Sequence, residues 1–325
     1  MNGLSLAELY FEELGRPLLA REFDSFEYRI AAGLVGEGSE CFGFDDELSR
    51  DHDWGPGFCL WLTADDFAEI GKELQERYDA LPKRFAGFER PAEGPHAGKR
   101  TGVFEVKDFY RRFARYDHVP ATLAEWRALP ETYLATATNG RVFVDPLGEF
   151  TAFRERLLAF YPEDLRLKKV AARCAAAGQA GQYNYHRSVV RGEVVAAQVA
   201  LSTFVEAVIS LVYLLNKRYR PFYKWMHRGM KELPILGVSC RKMLAGLCRE
   251  PGDEIGAMDA VAGRADYRVF AHREQMIEDI SALVIAHLRA CGLSSVESDF
   301  LLDHAHAVQT TIENEALRNL PVTVE

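Results

Sequence analysis

Apolar positions along the chain follow two rhythms, one for helices and one for strands. Over 4–25 the residues Leu4, Leu6, Leu9, Tyr10, Leu14, Leu18 and Leu19 recur at helical spacing and predict an amphipathic helix. "IAAGLVG" at 30–36 reads as a strand, "FCLWL" at 58–62 as a buried strand, and "GVFEV" at 102–106 alternates as strands do. A helix is expected at 39–49, between the first two strands. Another follows the second strand in "TADDFAEIGKELQERYDAL", with Thr63 as its N-cap and Asp66 at the acidic third position. "PHAGKR" at 95–100 reads as a turn or loop. "TNGRVFVD" at 138–145 reads as a hairpin turning at Asn139-Gly140.

Beyond about residue 162 the pattern is almost wholly helical. One long helix is expected at 191–217, broken or kinked afterwards at Pro221, with further amphipathic helices at 274–293 and 299–317. The layout is therefore α+β: a small mixed-sheet domain over 1–160, then an all-α helical bundle of about five helices over 161–325. The last two helices suit bundle packing or contact between two copies, so a homodimer is an open expectation.

Composition narrows the function classes. A net charge of −9 argues against a broad non-specific grip on nucleic acid, though a local basic patch can still hold phosphates. The N-terminal stretch carries acids where a signal peptide carries basic residues. The longest apolar run, "FVEAVISLVYLL" at 204–215, is short for a bilayer and contains Glu206. A cytoplasmic protein without a membrane partner is the expectation. The six cysteines form no CxxC pair, and His304 and His306 are two residues apart, which on a helix points them in different directions. Neither set predicts a zinc site, and the thiols are expected to be free and mostly buried.

The chemistry concentrates in "GLVGEGSECFGFDDELSRDHDWG", residues 33–55. Asp51 and Asp53 are two apart, so on a strand they project from one face. Two carboxylates held that close repel unless a cation lies between them, and hard oxygen donors suit Mg²⁺. Upstream, Gly36-Glu37-Gly38-Ser39 offers flexible backbone, amides and a hydroxyl to phosphates. The same residues also suit an ordinary turn and an acidic loop.

Taken in order, strand, Gly-Ser, about ten residues, Asp-x-Asp and strand resemble the signature of the polymerase-beta-like nucleotidyltransferase superfamily. The layout is similar to that of the aminoglycoside and lincosamide nucleotidyltransferases. The chain also resembles an uncharacterised bacterial family of expected nucleotidyltransferases through "TNGRVFVD", "QYNYHR" (182–187) and "LLNKRYRPFYKW" (214–225). The resemblance implies that Gly38 and Ser39 meet the phosphates of ATP or another nucleoside triphosphate. It implies that Asp51 and Asp53 bind Mg²⁺ and carry catalysis, and that a third carboxylate comes from a later strand. Glu105 is the candidate for it, Asp108 the runner-up, and a solvent-facing role for Glu105 stays open. His52 between the aspartates and Gly55-Pro56-Gly57 after them depart from the pattern, and the glycine-proline step should interrupt the strand.

In the helical half, Gln198, Ser202, Glu206 and Ser210 recur every four residues and form a polar row among apolar neighbours. The row reads either as the lining of a wet cleft or as helix–helix hydrogen bonding. Family members with this layout draw a base from the helical domain, so the resemblance implies Glu206 as that base, with Glu193 as the other candidate. "NKRYRPFYKWMHR" at 216–228 interleaves basic and aromatic residues. Lys224 and Lys217 are candidates to reach nucleotide phosphates; RNA stacking or basic stems packed over rings are the alternatives. Asn184 and Arg187 are further cleft candidates.

The expectation is an Mg²⁺-dependent nucleotidyltransferase moving a nucleoside monophosphate to a hydroxyl of an acceptor bound between the domains. A small molecule is expected as acceptor ahead of RNA or protein. The alternatives are a non-catalytic nucleotide-binding or toxin–antitoxin-type interaction module, and a nuclease carried by the helical half.

Overall fold

The leading amphipathic stretch folds as one helical run in three pieces, α1 (Gly3–Tyr10), a π-turn (Phe11–Gly15) and α2 (Arg16–Glu22). Pro17 accounts for the interruption: it has no N–H, and its ring presses on the carbonyl four residues back, which the wider π-turn relieves. The computed structural model describes residues 1–51, 54–90, 99–249 and 264–325, with the side chains of Asp51 and 264–269 excepted.

The elements that follow are β1 (Ala31–Leu34), β2 (Cys59–Leu62), α3 (Ala64–Asp79), the short strands β3 (Arg84–Phe85) and β4 (Phe88–Glu89), and β5 (Gly102–Glu105). Then come α4 (Val106–Ala114), α5 (Leu123–Arg127), α6 (Glu131–Ala137), β6 (Arg141–Val144) and α7 (Glu149–Leu158). Four strands form a mixed sheet in the order β5-β2-β1-β6; β2 and β5 are parallel, and β1 is antiparallel to both its neighbours. The parallel pair is joined through α3, as parallel strands require a crossover.

Every residue of β2 is buried because both sheet faces are covered. Phe58, Leu60 and Leu62 pack with Tyr10, Phe11, Ile70, Leu74 and Tyr78. Trp61 faces the other way, stacked on Phe150 at 3.8 Å and edge-on to Phe109 at 5.4 Å. α3 begins where its cap predicts, the Asp66 amide donating to Thr63 Oγ1 at 3.2 Å. The Asp66 carboxylate does not complete a capping box; Arg29 grips it through Nε and Nη2 at 2.9–3.1 Å.

Two local expectations are overturned. No α-helix forms over 39–49, only the single 3₁₀ turns Glu40–Phe42 and Leu48–Asp51. Asp45 is drawn away instead: its Oδ2 accepts the Gly3 N–H at 2.7 Å and the Trp54 indole N–H at 3.1 Å. The orphan amide at the start of α1 outcompetes a local helix for this side chain. "TNGRVFVD" is not a hairpin, because the residues before Asn139-Gly140 form α6 and the strand after it pairs with β1.

The second half is all helical: α8 (Glu163–Ala177), a π-stretch (Gly178–Tyr185), α9 (His186–Val190), α10 (Val194–Leu215) and α11 (Tyr223–Gly229). It continues with α12 (Gly237–Leu247), α13 (Arg264–Ala290), α14 (Leu301–Thr310) and α15 (Glu315–Arg318). The helix expected at 299–317 is thus two, because Asn314 caps a new start by accepting the Leu317 N–H at 3.0 Å. Pro221 lies in the break between α10 and α11. α8 is embedded, and its fully buried Lys168 donates to Gln309 Oε1 at 2.6 Å and to the Pro321 carbonyl at 2.8 Å. Packing divides the chain into two units, Met1–Phe160 and Tyr161–Glu325.

The apolar run at 204–215 belongs to a longer helix than the run alone suggests. α10 begins ten residues earlier, and among the described residues it is the one helix long and apolar enough, by length and composition, to cross a bilayer. Phe204 and all of Ala207–Leu215 are buried inside the second unit.

Candidate functional site: a braced glycine loop at the end of β1

β1 stops at Leu34, and Val35 leads into the loop Gly36-Glu37-Gly38-Ser39. The loop is held from below by Asn139. Its Oδ1 accepts the Gly36 N–H at 2.9 Å, and its Nδ2 donates to the Gly36 carbonyl at 2.7 Å. Next to it the Gly140 N–H donates to the Cys41 carbonyl at 2.7 Å. Gly140 has φ +63°, and a Cβ there would strike the Leu34 carbonyl oxygen, so the two segments meet this closely only at glycine. Arg154 completes the brace, Nη1 donating to the Asn139 carbonyl at 2.6 Å.

From above, Arg100 covers the loop. Its Nη2 donates to the Glu37 carbonyl at 2.7 Å and to Glu40 Oε1 at 2.5 Å, while Nε reaches the same carbonyl at 3.2 Å. Gly38 has φ +126°, and a Cβ on it would fall on the Arg100 guanidinium and within 2.5 Å of both Glu40 oxygens. Glu40 is buried, and that burial pushes its carboxyl above the ordinary carboxylate range against the pull of Arg100. Arg112 stands 3.9 Å from the Glu37 carboxylate, and Lys99 donates to the Val103 carbonyl at 2.6 Å. Arg112, Arg100 and Lys99 all lie within Coulombic reach of Cys59, the first residue of β2, so three cations gather at this end of the sheet. Guanidinium and ammonium groups of this kind suit phosphate oxygens.

The acidic pair is placed only in part. Asp51 ends the 3₁₀ turn Leu48–Asp51 and is not in a strand, so the strand argument for two side-by-side carboxylates does not apply to it. β2 starts only at Cys59, and Trp54–Phe58 before it lie outside any strand. Pro56 has no N–H for a ladder, which agrees with the expected interruption. The Asp51 side chain, His52 and Asp53 lie outside the described residues. Among the described residues no group of three or more His, Cys, Asp or Glu side chains is placed to hold a metal ion.

Glu105 is the last residue of β5 and caps α4. Its Oε1 accepts the Lys107 N–H at 2.9 Å and its Oε2 the Asp108 N–H at 2.8 Å. It is buried, which overturns the solvent-facing alternative. Asp108 is exposed and ion-paired with Arg111.

In the second unit the polar row is not enclosed. Gln198, Ser202 and Glu206 are exposed, and only Ser210 is buried, accepting from Arg173 Nε at 3.0 Å. Helix rotation decides this: the early turns of α10 bury only one side, while the last turns are surrounded. Glu206 accepts from Arg220 Nη1 at 3.0 Å, and Glu193 is exposed at the head of α10 without a side-chain cap bond. Lys217 is exposed, 3.5 Å from Glu163, and Lys224 lies over the Trp225 ring at 4.3 Å. Asn184 and Arg187 are exposed, Arg187 donating to the Tyr183 hydroxyl at 2.6 Å.

Sequence reasoning missed Arg100, Glu40, Asn139 and Arg154. Glu40 directly follows Ser39, and Arg100 stands just before the β5 pattern, but nothing in one sequence joins positions sixty apart. Asn139 was visible as half of a turn dipeptide and Gly36 as part of the loop, but not their pairing 103 positions apart.

The profile of a family described as a domain of unknown function (DUF4037) matches residues 126–226, which include Asn139, Arg154 and "QYNYHR" but neither the glycine loop nor Asp51. No curated protein matches the chain. A solved nucleotidyltransferase-like protein from Exiguobacterium sibiricum 255-15 is similar over 87% of this chain and 80% of its own, at 10% identity and a TM-score of 0.34.

Proposed function

We propose that the first unit binds a nucleoside triphosphate, ATP foremost, with its phosphates at Gly38 and Ser39, and transfers the nucleoside monophosphate to a hydroxyl acceptor. The observation that carries this reading is the register of β1 on β2. Gly33 faces Cys59 across an antiparallel pair, so the glycine loop leaves the sheet at the end where Trp54–Phe58 leads into β2. Loop and cations thereby belong to one end of one sheet, the end of β2 that Asp51 and Asp53 precede in sequence. Asp51 and Asp53 are hard oxygen donors of the kind that hold Mg²⁺, which when bound neutralises phosphate charge. In the reaction the acceptor oxygen bonds to the α-phosphorus, the bond to the bridging oxygen breaks, pyrophosphate leaves, and the hydroxyl proton passes to a base. Glu206 and Glu193 are the bases proposed, with a small molecule as acceptor.

The test is incubation of the protein with Mg²⁺ and each labelled triphosphate, with pooled metabolites and RNA as acceptors. Pyrophosphate release that disappears in Asp51→Ala and Asp53→Ala supports the reading. Absence of any triphosphate binding overturns it. Unchanged turnover in Glu206→Gln or Glu193→Gln removes that residue as base. The position of Asp51 in a 3₁₀ turn favours one rival, a non-catalytic nucleotide-binding module. Binding without pyrophosphate release from any triphosphate is its signature.

A further inference from the structure

We infer that Arg100 is a phosphate-binding residue of the glycine loop, and that Glu40 is an internal anion which a substrate phosphate displaces from it. The inference takes its ligand class from the nucleotidyl reading. Three features of the loop point to it. The guanidinium lies directly over Gly38, at the one residue whose missing side chain leaves room for it. It is aimed by two bonds to the Glu37 carbonyl, so its position does not depend on Glu40 alone. A group it meets beyond the Glu37 carbonyl is the Glu40 carboxylate, and carboxylate and phosphate oxygens match the same planar fork of N–H donors.

Glu40 is poorly placed for a purely structural acid. It is buried, and within Coulombic reach of Asp45 as well as Arg100, so its charged form is held there at a cost. Lys99 and Arg112 add two further cations at the same sheet end. A polyphosphate arriving at Gly38-Ser39 meets Arg100 Nη2 in competition with Glu40 Oε1, while Lys99 and Arg112 add positive potential from the same sheet end. A simple strut between the loop and the segment before β5 would require the Glu40 charge; an exchangeable anion would hinder binding.

Calorimetric titration with inorganic tripolyphosphate, without Mg²⁺, separates these. Glu40→Gln removes the competing charge and keeps the shape, and is expected to tighten binding about tenfold, while Arg100→Met weakens it about tenfold. Equal or weaker binding in Glu40→Gln overturns the inference, as does wild-type affinity in Arg100→Met or a failure of both wild type and Glu40→Gln to bind. If Arg100→Met does not fold, Glu40→Gln decides by itself, since it keeps Arg100. Turnover of Mg²⁺ and ATP is read in parallel. Pyrophosphate release without the tripolyphosphate pattern removes only Arg100 and Glu40 from the site. The tripolyphosphate pattern without release of pyrophosphate from any triphosphate removes nucleotidyl transfer and leaves a polyphosphate site.

Discussion

Both ends of the Asn139 amide bond the backbone of one residue, Gly36. Asn139→Ala leaves a buried N–H and C=O unsatisfied, which costs about 1–3 kcal/mol per group. The expected result is a lower urea midpoint and weaker triphosphate binding together, because the loop loses its lower brace. Asn139→Asp sets a carboxylate oxygen against the Gly36 carbonyl and adds a negative charge beside the loop, so it should weaken triphosphate binding at least as much as Asn139→Ala. Gly38→Ala tests the upper side of the loop. Its φ of +126° is strained for any L side chain, and its Cβ displaces Arg100. Loss of triphosphate affinity larger than the loss of stability is expected; equal small changes in both would show that the guanidinium need not lie there.

Elements owe their limits to single contacts of this kind. Glu105 ends β5 and opens α4 in one step, satisfying two of the helix's orphan amides. Glu105→Ala should cost about 0.5–2 kcal/mol as a lost N-cap, and the loss should be the same with and without Mg²⁺. A stability difference that appears only in Mg²⁺ would instead make Glu105 a metal ligand, at the sheet end opposite to the glycine loop. In the helical unit, Gly181 faces Phe204 of α10 and Ile277 of α13, and a Cβ would come within 2.9 Å of Ile277 Cγ2. Gly181→Ala is expected to destabilise by about 1–3 kcal/mol through overpacking. The strands and capped helices were legible because their signals are local: period two, Thr63 before Ala64, Pro221 after α10. The 39–49 helix was misread because Asp45 spends its carboxylate on Gly3 and Trp54, partners remote in sequence.

For the whole chain, burial sets chemistry. The Cys59 and Cys174 thiols are pushed up to about 12 and Cys240 to about 11, and Cys41 is raised well above its ordinary value, all chiefly by burial. Cys248 and Cys291 are exposed. A thiol reagent should modify those two in the native protein and the other four only after unfolding; fast reaction at Cys41 would contradict the packing around the glycine loop. Acid stability has its own marker in the second unit. Burial raises the Glu325 carboxyl, but Lys169 and Arg173 outweigh it and hold it below 4.5. Its stabilising contribution is therefore complete above that ordinary value and is lost as pH falls through the lower folded one. Glu325→Gln should be less stable than wild type near neutrality, and the gap should close in acid; a constant gap would exclude the charge as its cause.

The sequence by itself determined the α+β layout, the strand cores and the helical second half, because periodicity and caps act over a few residues. It also set the expectation of phosphate chemistry at the glycine loop and the acidic pair. Only the tertiary structure decided what surrounds that loop. Asn139 and Arg154 come from a later segment, and Arg100 reaches Glu40 across the sheet end. Such pairings depend on strand order and register, which set one residue beside another sixty or a hundred positions away, and no local spacing encodes them.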